Sequence, residues 1–154
     1  MFSAYQAALG DMSGETTMHV ARRDYSSSLL PITALQSRLF PGTGERSTQM
    51  VRVGRLAEFV DPDSIVPPAL LKLDVQGYEL LVLKGCADLL DRFEYVYVEC
   101  SFVELCEGQA LAEDVVAWLH DRDFGVRGVF NTLVDKRTGP IQADFLFKNT
   151  RTPS

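Results

Sequence analysis

The chain has 154 residues, 46% of them hydrophobic and 23% charged, with a formal net charge of −6. That length suffices for one domain with a real core, and the balance of residue types excludes a disordered chain. The acidic excess excludes a general nucleic-acid binder or a membrane-surface protein, because phosphate backbones and anionic lipids would repel it.

No apolar run approaches the length of a membrane span. The start, Met1 to Gly10, carries neither a basic segment nor a long apolar stretch, so no signal peptide is read there. Cys86, Cys100 and Cys106 are an odd set in an ordinary composition, which points to reduced thiols and a cytoplasmic setting. No second Cys/His pair completes a metal site. His19 and His120 have no local partners, so all five side chains read as structural.

In chain order, Phe2 to Leu9 is an apolar-rich strand, and Gly10 to Gly14 is a turn. Thr16 to Ala21 alternates as a second strand, with Met18 and Val20 set against Thr17 and His19. Residues 24–69 are irregular, with a loop at Pro41-Gly42-Thr43-Gly44 and a weak strand from Met50 to Leu56. From residue 70 the pattern sharpens. Leu70 to Val75 is a mostly apolar strand. Tyr78 to Phe93 follows the helical period, with Leu80, Val82, Leu83, Cys86, Ala87, Leu89, Leu90 and Phe93 on one arc and Lys84, Asp88, Asp91 and Arg92 opposite. Tyr95 to Glu99 is an aromatic and β-branched strand. Leu111 to Asp123 is a second helix stopped by Gly125. Val126 to Phe130 is a strand, Asp135 to Pro140 a turn, and Ile141 to Phe147 a last strand.

Helices between strands imply parallel pairing with right-handed crossovers, and the short final connection implies an antiparallel hairpin. The expectation is an α/β fold whose sheet is mostly parallel. Leu70–Val75 and Tyr95–Glu99 should be parallel neighbours. Ligands bind beyond the C-terminal ends of such strands. Asp74 and Glu99 stand there, and one crossover brings them to a common cleft. Glu79 is a third candidate. It lies in a first helical turn yet within the apolar arc, so it faces the same cleft or serves the helix N-terminus. Lys72 shares the strand face of Asp74 and is expected to pair with a nearby acid. No hydrolase elbow, nucleotide loop or zinc motif is present. The residues alone give an acidic cleft on an α/β sheet.

The run Lys72-Leu73-Asp74-Val75-Gln76-Gly77-Tyr78-Glu79, followed by Val82-Leu83-Lys84-Gly85, resembles a family signature. It is similar to Lys-x-Asp-Val-x-Gly-x-Glu and Val-Leu-x-Gly-Ala of the FkbM-type S-adenosylmethionine-dependent methyltransferases, with Cys86 ahead of the usual Ala. Val98-Glu99-Cys100-Ser101-Phe102 resembles the family's strand ending Glu-x-Ser-Phe. Leu105 to Gln109 resembles Leu-Tyr-x-Gly-Gln, with Cys106 in place of Tyr. Asp123-Phe124-Gly125, Asp144-Phe145-Leu146-Phe147, Ala8-Leu9-Gly10-Asp11 and Ser27-Ser28-Leu29 also match, so the resemblance spans nearly the whole chain.

The resemblance implies a Rossmann-like methyltransferase sheet and S-adenosyl-L-methionine as cofactor. The acceptor it implies is a small molecule, a hydroxyl on a natural product or sugar. Leu9, Gly10 and Asp11 would contact the adenine. Asp74 would lie near the transferred methyl, and Glu79 and Glu99 would line the acceptor side. The chain would be a single, truncated domain over 1–154. The family's N-terminal strands, which carry the Gly-rich loop and the ribose-binding acid, are expected to be missing. A non-enzymatic α/β module or remnant that has lost the cofactor site is the alternative. In the family's sheet the first strand pairs with the fourth, here Leu70–Val75. Its edge would therefore be bare, to be covered by Phe2–Leu9 or by a second copy of the chain.

Overall fold

The computed structural model describes residues 3–23 and 26–151. Their elements run β1 (Ala8–Leu9), β2 (Gly14–Ala21), α1 (Ala34–Leu39), β3 (Glu45–Gly54), β4 (Leu70–Leu73), α2 (Glu79–Gly85), β5 (Tyr95–Ser101), α3 (Ala112–His120), β6 (Phe124–Asp135) and β7 (Gly139–Asn149). They make a mixed α/β structure with two open sheets, ordered β1–β3–β2 and β4–β5–β7–β6.

The second sheet holds the four C-terminal strands expected from the sequence. β4 and β5 are parallel neighbours, with Leu70 opposite Tyr95 and Leu73 opposite Val98. β7 is antiparallel to both β5 and β6. Thus β4, β5 and β6 share a direction, yet β4–β5 is the one adjacent pair that is parallel. The cause is β7: the closing hairpin strand inserts between β5 and β6 and takes the edge of β5 that the crossover through α3 leaves free.

Alternation decides which face is covered. In β5, Val96, Val98 and Cys100 are buried while Tyr95, Tyr97 and Glu99 are half-buried; in β7, Ile141, Ala143, Phe145 and Phe147 are buried while Gln142 and Asp144 are half-buried. These buried side chains, Ile141 apart, join Leu71 and Leu73 of β4, Val82 and Leu83 of α2, and Val115 and Leu119 of α3 in one core. The opposite face carries Lys72, Tyr97, Glu99 and Asp144 in register.

The helix expected over Tyr78–Phe93 is instead α2 followed by a tighter 3₁₀ turn, Ala87–Arg92. Gly85 marks the break, and a Cβ there would lie 2.0 Å from the backbone oxygen of Gly10. The helix can approach the Gly10 loop only where it lacks a side chain. Past it the register tightens, and Ala87, expected on the buried arc, is exposed.

The strand expected over Phe2–Leu9 is limited to Ala8–Leu9 among the described residues, Phe2 lying outside them. It does not cover β4. Ala8 and Leu9 pair in parallel with Val53 and Gly54, and the Gly10 N–H extends that ladder to the Gly54 oxygen at 3.0 Å. β3 begins at Glu45 rather than Met50 and pairs with β2 on one edge, and β1 takes the other edge at Val53 and Gly54. Among the described residues β4 therefore remains an edge strand. His19, without a partner nearby in sequence, meets Glu45 across this sheet, with Nδ1 2.7 Å from Oε2. Among the described residues no helix is long and apolar enough to cross a membrane.

Candidate active site

The site forms where β4 and β5 end. Asp74 follows β4 directly, and its carboxylate is half exposed and 3.6 Å from Lys72 Nζ, the ion pair expected from their shared strand face. The next turn has two consecutive residues at positive φ, Gln76 at 52° and Gly77 at 97°. Gly77 is required there. A Cβ would stand 3.1 Å from that of Cys106 and 3.2 Å from that of Gln109.

Glu79 is buried, at 4% exposure, and its Oε1 accepts from the backbone N–H groups of Gly77 at 3.0 Å and Val75 at 3.3 Å. Burial raises its carboxyl above the usual range, against the pull of those N–H donors. Its position under the turn makes it a brace for the Asp74–Gly77 segment; of the two orientations open from sequence, it takes the one serving the backbone.

Glu99 lies on β5, one strand across from Asp74. Its Oε1 accepts from Gln142 Nε2 at 2.6 Å, and its Oε2 faces Gln76 Nε2 at 3.4 Å. The same Gln76 nitrogen donates to Asp74 Oδ1 at 2.9 Å. Asp74, Gln76, Glu99 and Gln142 thus form one chain of contacts from β4 to β7. Asp144 stands opposite Glu99 on β7 and accepts from Tyr97 Oη at 3.0 Å and Asn131 Nδ2 at 2.7 Å. Burial first, then the charges of Asp74, Glu79 and Asp144, push the Glu99 carboxyl up to about 7, while the Gln142 bond opposes the rise. A carboxyl held there titrates in the range suited to proton transfer at neutral pH.

Asp74 and Gln76 border a cavity of 690 Å³ that opens between β4 and the first sheet; Leu9, Met18, Leu29 and Tyr78 form much of its apolar wall. Of the residues assigned to cofactor contact, Leu9 and Asp74 line this cavity, whereas Gly10 and Asp11 do not. Gly10 is buried against Val53 and Tyr78, and the Asp11 backbone oxygen accepts from Arg55 Nε at 3.2 Å. Glu99 does not line the cavity; it joins it through Gln76.

Sequence reasoning missed Gln76, Gln142 and Asp144 as members of the site. Gln142 and Asp144 were open to discovery from the alternation in β7, but placing them beside Glu99 requires the β5–β7 register. Gln76 gave no periodic signal, since it lies in a turn.

Residues 2–126 match the family model described as the methyltransferase FkbM domain. The match runs from before β1 into the start of β6. No curated protein matches the chain, and no solved structure does.

Proposed function

The chain belongs to the FkbM methyltransferase family, and from that premise we propose that it serves S-adenosyl-L-methionine-dependent O-methylation of a hydroxyl on a small natural product or sugar. The observation that carries this reading is the Asp74–Gln76–Glu99 chain at the edge of the 690 Å³ cavity.

The cavity suits the sulfonium end of the cofactor in charge and size. Asp74 offers a carboxylate to the cation, and Leu9, Met18 and Leu29 offer apolar contact to the adenosine. Among the described residues Lys72 is the one cationic side chain on the lining, and it is already paired with Asp74. When bound, the cofactor supplies an electrophilic methyl group. This chain's residues orient the acceptor and remove its proton. Glu99 is the acid placed for the second task. Its Oε2 has only the long 3.4 Å contact with Gln76 and so keeps a free lone pair. Asp74 stands closer to the cavity and orients the reacting hydroxyl. The mixed carboxylate and carboxamide surface favours a neutral, hydroxyl-bearing acceptor over an anionic one. The free, buried cysteines 86, 100 and 106 suit a cytoplasmic protein.

One observation favours the alternative, a non-enzymatic module: among the described residues no glycine lines the cavity. The loop expected to cradle the methionine part would have to come from residues other than those described. The test of the enzymatic reading is Asp74→Ala in the chain joined to the family's Gly-rich cofactor-binding strands. It should reduce methyl transfer at least tenfold more than it weakens cofactor binding, as expected for a group acting mainly in the transition state. Equal transfer rates in variant and parent would remove Asp74 from the reaction.

A further inference from the structure

We propose that Gln76 is a positioning residue: its side-chain amide ties the carboxylates of Asp74 and Glu99 together across β4 and β5, so that both address one acceptor. The inference rests on the function proposed above and assigns a part in it to a residue with no chemistry of its own.

The backbone supplies the first argument. Gln76 has φ 52°, a left-handed conformation that favours glycine or asparagine. Gly77 beside it shows that the turn uses glycine where packing demands it. A longer side chain at position 76 needs a reason. The conformation is held from outside the turn, since the Gln76 carbonyl accepts from Ser28 Oγ at 2.6 Å and from Cys106 Sγ at 3.3 Å. Two distant segments clamp the main chain, and the side chain is thereby aimed at the acids.

The second argument is the contact itself. One nitrogen, Nε2, reaches Asp74 Oδ1 at 2.9 Å and Glu99 Oε2 at 3.4 Å. Two carboxylates on adjacent strands repel each other, and Asp74 is half exposed and free to swing towards solvent with Lys72. An amide donating to both opposes that separation without adding charge. Glu99 is fixed from the other side by Gln142, so Asp74 is the member that the bridge restrains. The charged and titratable groups facing Glu99 are Asp74 from the β4 turn, Glu79 from α2 and Asp144 from β7.

A double-mutant cycle read by carboxyl NMR tests the bridge, and it needs neither cofactor nor acceptor. In the parent, Asp74→Asn should lower the titration midpoint of Glu99 by about half a unit or more, because a neighbouring negative charge is removed. In a Gln76→Gly background the same change should shift it by less than half as much, because Asp74 has already moved away. Gln76→Gly suits the left-handed backbone and is expected to fold. Gln76→Asn, which tolerates that backbone but is one carbon short of Glu99, provides a second background with the same expected result. An Asp74→Asn shift of equal size with and without Gln76 overturns the proposal, and so does failure of both variants to fold, which would make Gln76 a folding residue. Failure of the function proposed above shows instead as unchanged methyl transfer in Asp74→Ala, so the two failures are distinguishable.

Discussion

At the scale of single residues the site is defined by acids in unequal surroundings. Asp74 is half exposed and paired with Lys72, Glu79 is buried beneath a turn, and Glu99 is partly buried among other carboxylates. Glu99 has a consequence for stability. Its carboxyl is raised in the folded protein to about 7 from an ordinary value of 4.5. Between those values the unfolded chain has ionised while the folded one keeps its proton. Stability from this group is therefore full below the lower value and is lost as pH rises to about 7. Glu79 is shifted in the same direction and adds to the trend. Glu99→Gln should flatten the fall in melting temperature between pH 4.5 and about pH 7 and raise the melting point at the upper end. The same substitution should lower methyl transfer by about 10²–10⁴-fold, the usual worth of a general base. A melting curve with unchanged pH dependence would show that Glu99 is not perturbed. The acids were legible in the sequence because strand ends can be read from composition. Their unequal roles were not, because burial and neighbours set a carboxyl's behaviour.

At the scale of elements, two details carry most of the consequence. The first is the approach of α2 to the loop after β1. Gly85 occupies the closest point, where any Cβ would meet the Gly10 oxygen at 2.0 Å. Alanine is the better helix former, so propensity alone predicts a gain from Gly85→Ala. The contact predicts a loss of about 2–3 kcal/mol, because backbone must move to admit the methyl group. Denaturant unfolding distinguishes the two by sign. The second detail is β4, which among the described residues pairs only with β5. Amide exchange should be fast at those β4 positions that point away from β5, and slow throughout Tyr95–Val98, which has a partner on each side. Uniform protection of Leu70–Leu73 in solution would mean that a further strand covers that edge, from this chain or from a second copy. The elements themselves were largely legible from residue 70 onward, where periods of two and of 3.6 are clear. The strand β3 was read five residues short because Glu45 to Gln49 is polar and exposed, and carries no apolar alternation.

At the scale of the whole molecule, two sheets meet around a cavity to which the described residues contribute no glycine. A nucleoside cofactor needs backbone that can approach its polar groups closely, which glycine permits and side chains obstruct. Calorimetric titration of this chain with S-adenosyl-L-methionine is therefore expected to show no binding in the micromolar range. Micromolar or tighter affinity would mean that the described cavity is a sufficient site and that the non-enzymatic alternative fails.

The sequence by itself determined the α/β class, the parallel pairing of β4 with β5, the antiparallel closing hairpin and the placing of Asp74 just past β4 and of Glu99 on the neighbouring strand, though it ended that strand at Glu99 where β5 runs on to Ser101. Its motifs also pointed to the family. All of these follow from local pattern: side-chain period, the length of each connection and the residues within a short run. Tertiary structure alone decided that β1 pairs with β3 and leaves β4 open, that β7 enters between β5 and β6, and that α2 breaks at Gly85. It also decided that Gln76 joins the two acids and that Gln142 holds Glu99 from the other side. Each of these depends on which distant segments meet. That is settled by competition among strand edges for hydrogen bonds and among side chains for the same space, and no short stretch of sequence records the outcome of that competition.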